Sequence, residues 1–151
     1  MSVKIQQESF SISKMISQLS EKDHVGAVVT FSGYVREFSN DNQLQFMELE
    51  YYPGMTEKAL ENIEKKARNS WDIDDIRIIH RVGKLVPKDL IVGVAVSSKH
   101  RENAFKACEF IIDFLKTDAP FWKKEVNENG ASWVNERQED ITKKSNWNKI
   151  A

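Results

Sequence analysis

Three lysines crowd one short segment, "FLKTDAPFWKKEV": Lys116 before Pro120, and Lys123 and Lys124 just after the Phe121–Trp122 pair. An amine held near other cations, or withdrawn from water, gives up its proton more readily and can act as base or nucleophile near neutral pH. Lys116 and Lys123 stand seven positions apart, a spacing that shares one face of an unbroken helix. Pro120 forbids that helix, so the two amines meet only if the chain folds back there. Spacing alone favours the plainer reading, in which a lysine complements the end of a helix dipole and a proline stops the helix.

Two further segments carry groups suited to anions. In "SSKHRENAF", His100 and Arg101 fall where an apolar strand gives way to a helix, with Ser98 or Lys99 near the cap. The free N–H groups of a helix start and the forked guanidinium both suit an anion, although a surface turn explains the pair equally well. In "SGYVRE", Gly33 inside a strand pattern implies a bulge or a close backbone approach, with Arg36 near the strand end. His24, His80 and His100 are too scattered for a metal site, and no phosphate-binding glycine loop or nucleophile elbow is present. Cys108 falls on an apolar helical stripe and reads as core.

The elements that must position these groups follow from periodicity. "VKIQQ" is a first strand, and Ile12, Met15, Ile16 and Leu19 make a short amphipathic helix capped by Ser11. "GAVVTFSGYVREF" reads as one long strand with "LQFMELEYY" as its antiparallel return. The next helix, "PGMTEKALENIEKKARNSW", has Thr56 as its expected cap and a stripe of Met55, Ala59, Ile63 and Ala67. Strands "IRIIHRVG" and "LIVGVAVSS" follow, the second apolar enough to be central. The helix "RENAFKACEFIIDFLK" carries Ala104, Ala107, Cys108, Ile111, Ile112 and Leu115 on one face. "WKKEV" and "SWVNER" form a hairpin for which Asn129-Gly130 predicts a type I′ turn. The order β-α-β-β-α-β-β-α-β-β points to an α+β fold, with helices on one face of a mostly antiparallel sheet. Residues 1–137 are expected as a single domain and 138–151 as a polar tail, flexible or docking.

The bulk numbers set limits. With 22 Lys and Arg against 23 Asp and Glu, the net charge is −1, so any anion site is local and nucleic acid is not an expected partner. The single cysteine permits no internal disulfide and suits a reducing compartment. There is no signal-peptide pattern and no apolar run near the roughly 20 residues that span a bilayer, so a cytoplasmic protein is expected.

Taken in order, "GAVVTFSGYVRE", "LEYYPGMTEKAL", "RVGKLVPKDLIVGVAVSSKHRENAFKAC", "LKTDAPFWKKE" and "GASWVNER" resemble the catalytic (large) subunit of molybdopterin synthase from about Gly26 to Arg137. The resemblance implies an α/β hammerhead with a small antiparallel subdomain. It implies a sulfurtransferase of molybdenum cofactor biosynthesis, which moves sulfur from the C-terminal glycine thiocarboxylate of a small ubiquitin-like carrier onto cyclic pyranopterin monophosphate. It further implies a homodimer at the centre of a heterotetramer; no metal is expected from the scattered histidines, and no cofactor is expected either. By the same resemblance Lys116 is the essential lysine facing the carrier's end, and Lys123 the second active-site lysine, with Lys124 and Glu125 beside it. Arg36, with Tyr34 and Val35, matches the strand-end substrate segment; His100 and Arg101 match a phosphate-binding pair, and Arg137 a further pocket arginine. Lys88 stands where the family often has glycine, and Tyr34 at a position that varies. Two rivals remain at this stage: an acylphosphatase-like phosphohydrolase built around Arg36, and a module that only docks a ubiquitin-like partner.

Overall fold

The computed structural model of the chain describes residues 2–39, 42–134 and 138–150. In chain order it begins β1 (Val3–Gln6), α1 (Ile12–Ser20), β2 (Ala27–Tyr34), β3 (Phe38–Ser39) and β4 (Asn42–Tyr51). Next come α2 (Met55–Ser70), β5 (Asp75–Arg81), β6 (Gly83–Leu85) and β7 (Leu90–Ser98). The chain continues through α3 (Arg101–Asp118), β8 (Phe121–Asn127), β9 (Gly130–Val134) and α4 (Gln138–Ile150). One sheet has the order β1-β5-β7-β2, antiparallel except for the β1–β5 pair. A second, wholly antiparallel sheet runs β3-β4-β8-β9, with β6 also on β4. The mixed class and the mainly antiparallel pairing are as expected.

β7 explains how the helices are distributed. Its side chains alternate, and both rows are apolar or small, so neither face can be left wet. Val92, Val94 and Val96 join Leu60 and Ile63 of α2 and Ala107 and Ile111 of α3 in the main core. Ala95, on the other row, packs with Met15 and Leu19 of α1. A Cβ on Gly93 would lie 2.7 Å from Ile12 Cδ1 and 2.7 Å from Phe10, so the absent side chain is what lets α1 settle there. α2 and α3 thus share one face as expected, while α1 covers the other.

Local departures have physical causes. The strand expected through Phe38 stops at Tyr34, because the β2–β7 register slips between Gly33 and Tyr34. Gly33 is the tight approach its position implied: a Cβ there would stand 2.8 Å from Val92. "IRIIHRVG" divides at Gly83 (φ 88°), where the chain leaves the first sheet for the second. Ser11 caps α1 by accepting from the Lys14 N–H, as predicted. The cap of α2 is Gly54 (φ 89°) rather than Thr56, and its buried row is Thr56, Leu60, Ile63 and Ala67, with Met55 exposed. The β8–β9 turn centres on Glu128 and Asn129, neither at positive φ, so it is not type I′; Gly130 takes the left-handed angle (117°) one position later. Residues 138–150 form helix α4 against α3. There Trp147 donates to Asp113 (2.6 Å) and packs edge-on against Trp71 and Phe110, and Lys144 pairs with Asp118.

Candidate functional site

The end of α3 is where the amines are brought together. Ala119 is extended, as the residue before a proline prefers, and α3 therefore ends at Asp118. The Pro120 carbonyl accepts from the buried Thr56 hydroxyl (2.9 Å), which in turn accepts from the Tyr52 N–H (2.9 Å). This tie fixes the start of β8 against α2. Lys116 sits in the last helical turn, where the dipole favours a cation, and Lys123 follows two residues after Phe121 on the strand. Both amines line one cleft of about 520 Å³ at the seam between the two sheets. The fold-back required by Pro120 is thus present.

Strand alternation decides which neighbours join them. Phe121, Lys123 and Glu125 line the cleft. Lys124, one position out of phase, sits instead over the Trp133 ring, 5.9 Å from its centroid. From the other wall comes Arg36. Val35, buried beneath it, is clamped through its backbone: its N–H donates to the Asp89 carbonyl (2.9 Å) and its carbonyl accepts from the Lys88 N–H (2.8 Å). With Val35 held inward, Tyr34 and Arg36 both line the cleft, and Tyr34 stays largely exposed.

The electrostatics follow from this crowding. Burial, together with the nearby Lys116 and Arg36 charges, holds the Lys123 amine below the ordinary lysine value, while Glu125 and Asp140 pull partly in the other direction. Among the described residues no carboxylate forms an ion pair with Lys116, Lys123 or Arg36. The three cations are therefore open to an anionic ligand. Phe31, Ile91, Leu115 and Phe121 supply apolar wall. Among the described residues no group of His, Cys, Asp or Glu is arranged to hold a metal ion. Burial pushes the Cys108 thiol up to about 12, in keeping with its place in the core. A more open groove of about 550 Å³ along β1 gathers no comparable set of cations.

Not every expected residue reaches this cleft. His100 and Arg101 begin α3, and fifteen residues of helix at 1.5 Å each put them about 22 Å from Lys116. Arg137 lies outside the described residues. Two titratable cleft residues escaped the sequence reading. Asp140 arrives on α4, in a stretch read as tail. His80 follows Ile76 and Ile78 on the buried row of β5, and a histidine where that alternation calls for an apolar side chain was the available signal.

Known proteins share this chain's sequence and fold. A family model described as "MoaE protein" matches residues 5–118. The molybdopterin synthase catalytic subunit of Ralstonia nicotianae is 49% identical over 146 residues, covering 96% of this chain and 83% of that one. The subunit of the same name from Escherichia coli is 46% identical over 140 residues, covering 93% of each chain. A solved molybdopterin biosynthesis MoaE protein from Burkholderia ambifaria superposes with a TM-score of 0.83 at 44% identity, over 97% of both chains.

Proposed function

The chain belongs to the MoaE family of molybdopterin synthase catalytic subunits, and from that premise we propose that it catalyses sulfur transfer onto cyclic pyranopterin monophosphate from the thiocarboxylate end of a small ubiquitin-like carrier. The observation that carries the proposal is the convergence of Arg36, Lys116 and Lys123 on one partly apolar cleft from the β2–β3 connection, α3 and β8. Both reactants are anionic, and the cations are free of partners among the described residues, so the site meets the charge it would have to hold. Its apolar walls strengthen each such contact by excluding water.

In this reading Lys116, the more exposed of the two lysines, anchors the thiocarboxylate and moves protons at the reacting carbon. Lys123, whose lowered proton affinity leaves more of it unprotonated near neutral pH, supplies the base, taking a proton from the water that cleaves the carrier's acyl–sulfur bond once the sulfur has bonded to the substrate carbon. Arg36 orients the anionic substrate, and Glu125 and Asp140 keep Lys123 from losing its charge altogether. By the length of α3, His100 and Arg101 stand too far from Lys116 to hold the same small molecule within one chain. They would serve a neighbouring copy's cleft, consistent with a homodimer carrying one carrier at each end.

The test is reconstitution with a thiocarboxylated carrier and cyclic pyranopterin monophosphate, with molybdopterin detected as its fluorescent oxidised derivative. Lys116→Ala is expected to lower turnover at least a hundredfold, on the scale of losing a proton-transfer group, while carrier binding stays near wild type. Near-normal turnover by Lys116→Ala sinks the assignment. No product from wild type with bound carrier leaves a docking module instead.

A further inference from the structure

His80 is placed unlike any other group in the cleft. It is buried, and its ring stacks on Phe121 with centroids 3.9 Å apart and planes 15° from parallel. Its Nδ1 lies 2.8 Å from the Arg81 carbonyl oxygen. A carbonyl can only accept, so Nδ1 carries the hydrogen, and in the neutral ring Nε2 is left as a lone pair. Among the described residues nothing donates to that nitrogen, and the residue lines the cleft. Stack and carbonyl together fix the ring's plane and its tautomer.

The surrounding groups give that lone pair its meaning. Arg36 and any lysine that holds its proton can only donate hydrogen bonds, a lysine serving as base needs its lone pair for the proton it takes, and Glu125 and Asp140 are carboxylate acceptors whose charge acts on Lys123. A flat heterocycle in this cleft needs a neutral acceptor for its own N–H groups, set beside apolar wall for its faces. We propose that His80 Nε2 accepts a hydrogen bond from a ring N–H or amino group of the bound pterin, fixing the heterocycle in register with the lysines. This rests on the substrate reading above and adds a ligand-binding residue to it.

Protonation would destroy the acceptor, and the surroundings oppose it. Burial, reinforced by the nearby Lys123 charge and only partly offset by the Arg81 carbonyl, brings His80 down to about 4. So weak a base makes a poor proton carrier at neutral pH but a permanent acceptor.

The experiment measures equilibrium binding of cyclic pyranopterin monophosphate to the full chain with its carrier lacking the thiocarboxylate, so that no turnover intrudes. His80→Phe keeps the stack and removes the acceptor; His80→Gln returns an oxygen near the Nε2 position. The expected result is about tenfold weaker pterin binding for His80→Phe, on the scale of one lost hydrogen bond, with most of it regained in His80→Gln. Affinity for inorganic phosphate as a separate probe should be unchanged. On the native chain, the ¹⁵N resonance of His80 Nε2 should shift when the pterin is added but not with phosphate, a readout that needs no variant to fold. Equal pterin affinity in wild type and His80→Phe, or a silent Nε2 resonance with pterin bound, overturns the proposal and leaves His80 as packing. Failure of wild type to bind the pterin at all overturns the substrate reading itself, a different result.

Discussion

Lys88 is the one residue other than glycine at positive φ among the described residues (77°). A side chain in that left-handed region costs roughly 1–2 kcal/mol, and glycine's extra freedom when unfolded returns part of any gain from removing it. Lys88→Gly is therefore expected to raise stability by about 0.5–1 kcal/mol, read as a higher urea midpoint with unchanged slope. The strain sits beside the site, since the Lys88 N–H helps clamp Val35 under Arg36. Other single residues were readable to differing degrees. Pro120 between two lysines already required a fold-back, and Gly33 already implied a close approach. That Lys124 stands off the cleft-lining row was not legible, because a run of charged residues hides the alternation that only the pairing of β8 reveals. His80 was visible as an exception in an apolar row, yet nothing in sequence spacing says that a row ends in a cleft.

Among the elements, the tie between α2 and the start of β8 matters most to the chemistry. Thr56→Val keeps the shape of the side chain but leaves the Tyr52 N–H and the Pro120 carbonyl each without this partner. The expected cost is about 2 kcal/mol, with turnover falling further than stability alone explains. Thermal unfolding and the molybdopterin assay, both run well below the melting temperature, check this. A variant as active as wild type would show that β8 is held by its sheet partners alone. Helix existence was plain from period, and α1, α2 and α3 all occur where it placed them, although α2 buries Thr56 and Leu60 in place of Met55 and Ala59 of its expected stripe. What period could not give was phase at the ends. Gly54 caps α2 because Tyr52 to Gly54 turn sharply into the helix, which moves Thr56 inside and Leu60 onto the buried row. The helix over 138–150 was unreadable because its apolar residues are few, and its hold on the molecule is long-range, through Trp147 and Lys144.

At the scale of the molecule, one carboxylate joins segments that are far apart in sequence. Asp75 accepts from Arg68 of α2 (3.0 Å), from Arg77 (3.1 Å) and from the Ile76 N–H (2.8 Å), and lies 3.7 Å from Lys22. Burial alone would raise this carboxyl, but the Ile76 N–H and Arg68, helped by the Arg77 and Lys22 charges, hold it below the ordinary 3.8. Its contribution is thus fully present above that value and disappears as pH falls through the lower folded-state value. Asp75→Asn should cost about 1–2 kcal/mol at pH 7, with the gap to wild type closing in urea titrations taken below pH 3.8. An equal gap at both pH values would assign the loss to shape rather than charge. The pairing of β4 with β8 carries a different consequence. Tyr51 faces Phe121, 70 positions later, and closing so long a loop costs about 4 kcal/mol of chain entropy before any contact rewards it. The sheet β1-β5-β7-β2 closes separations just as long, with Val3 facing Ile78 and Ala27 facing Ser98. Neither sheet is the local one, so the cleft at their seam exists only once both long closures have been made.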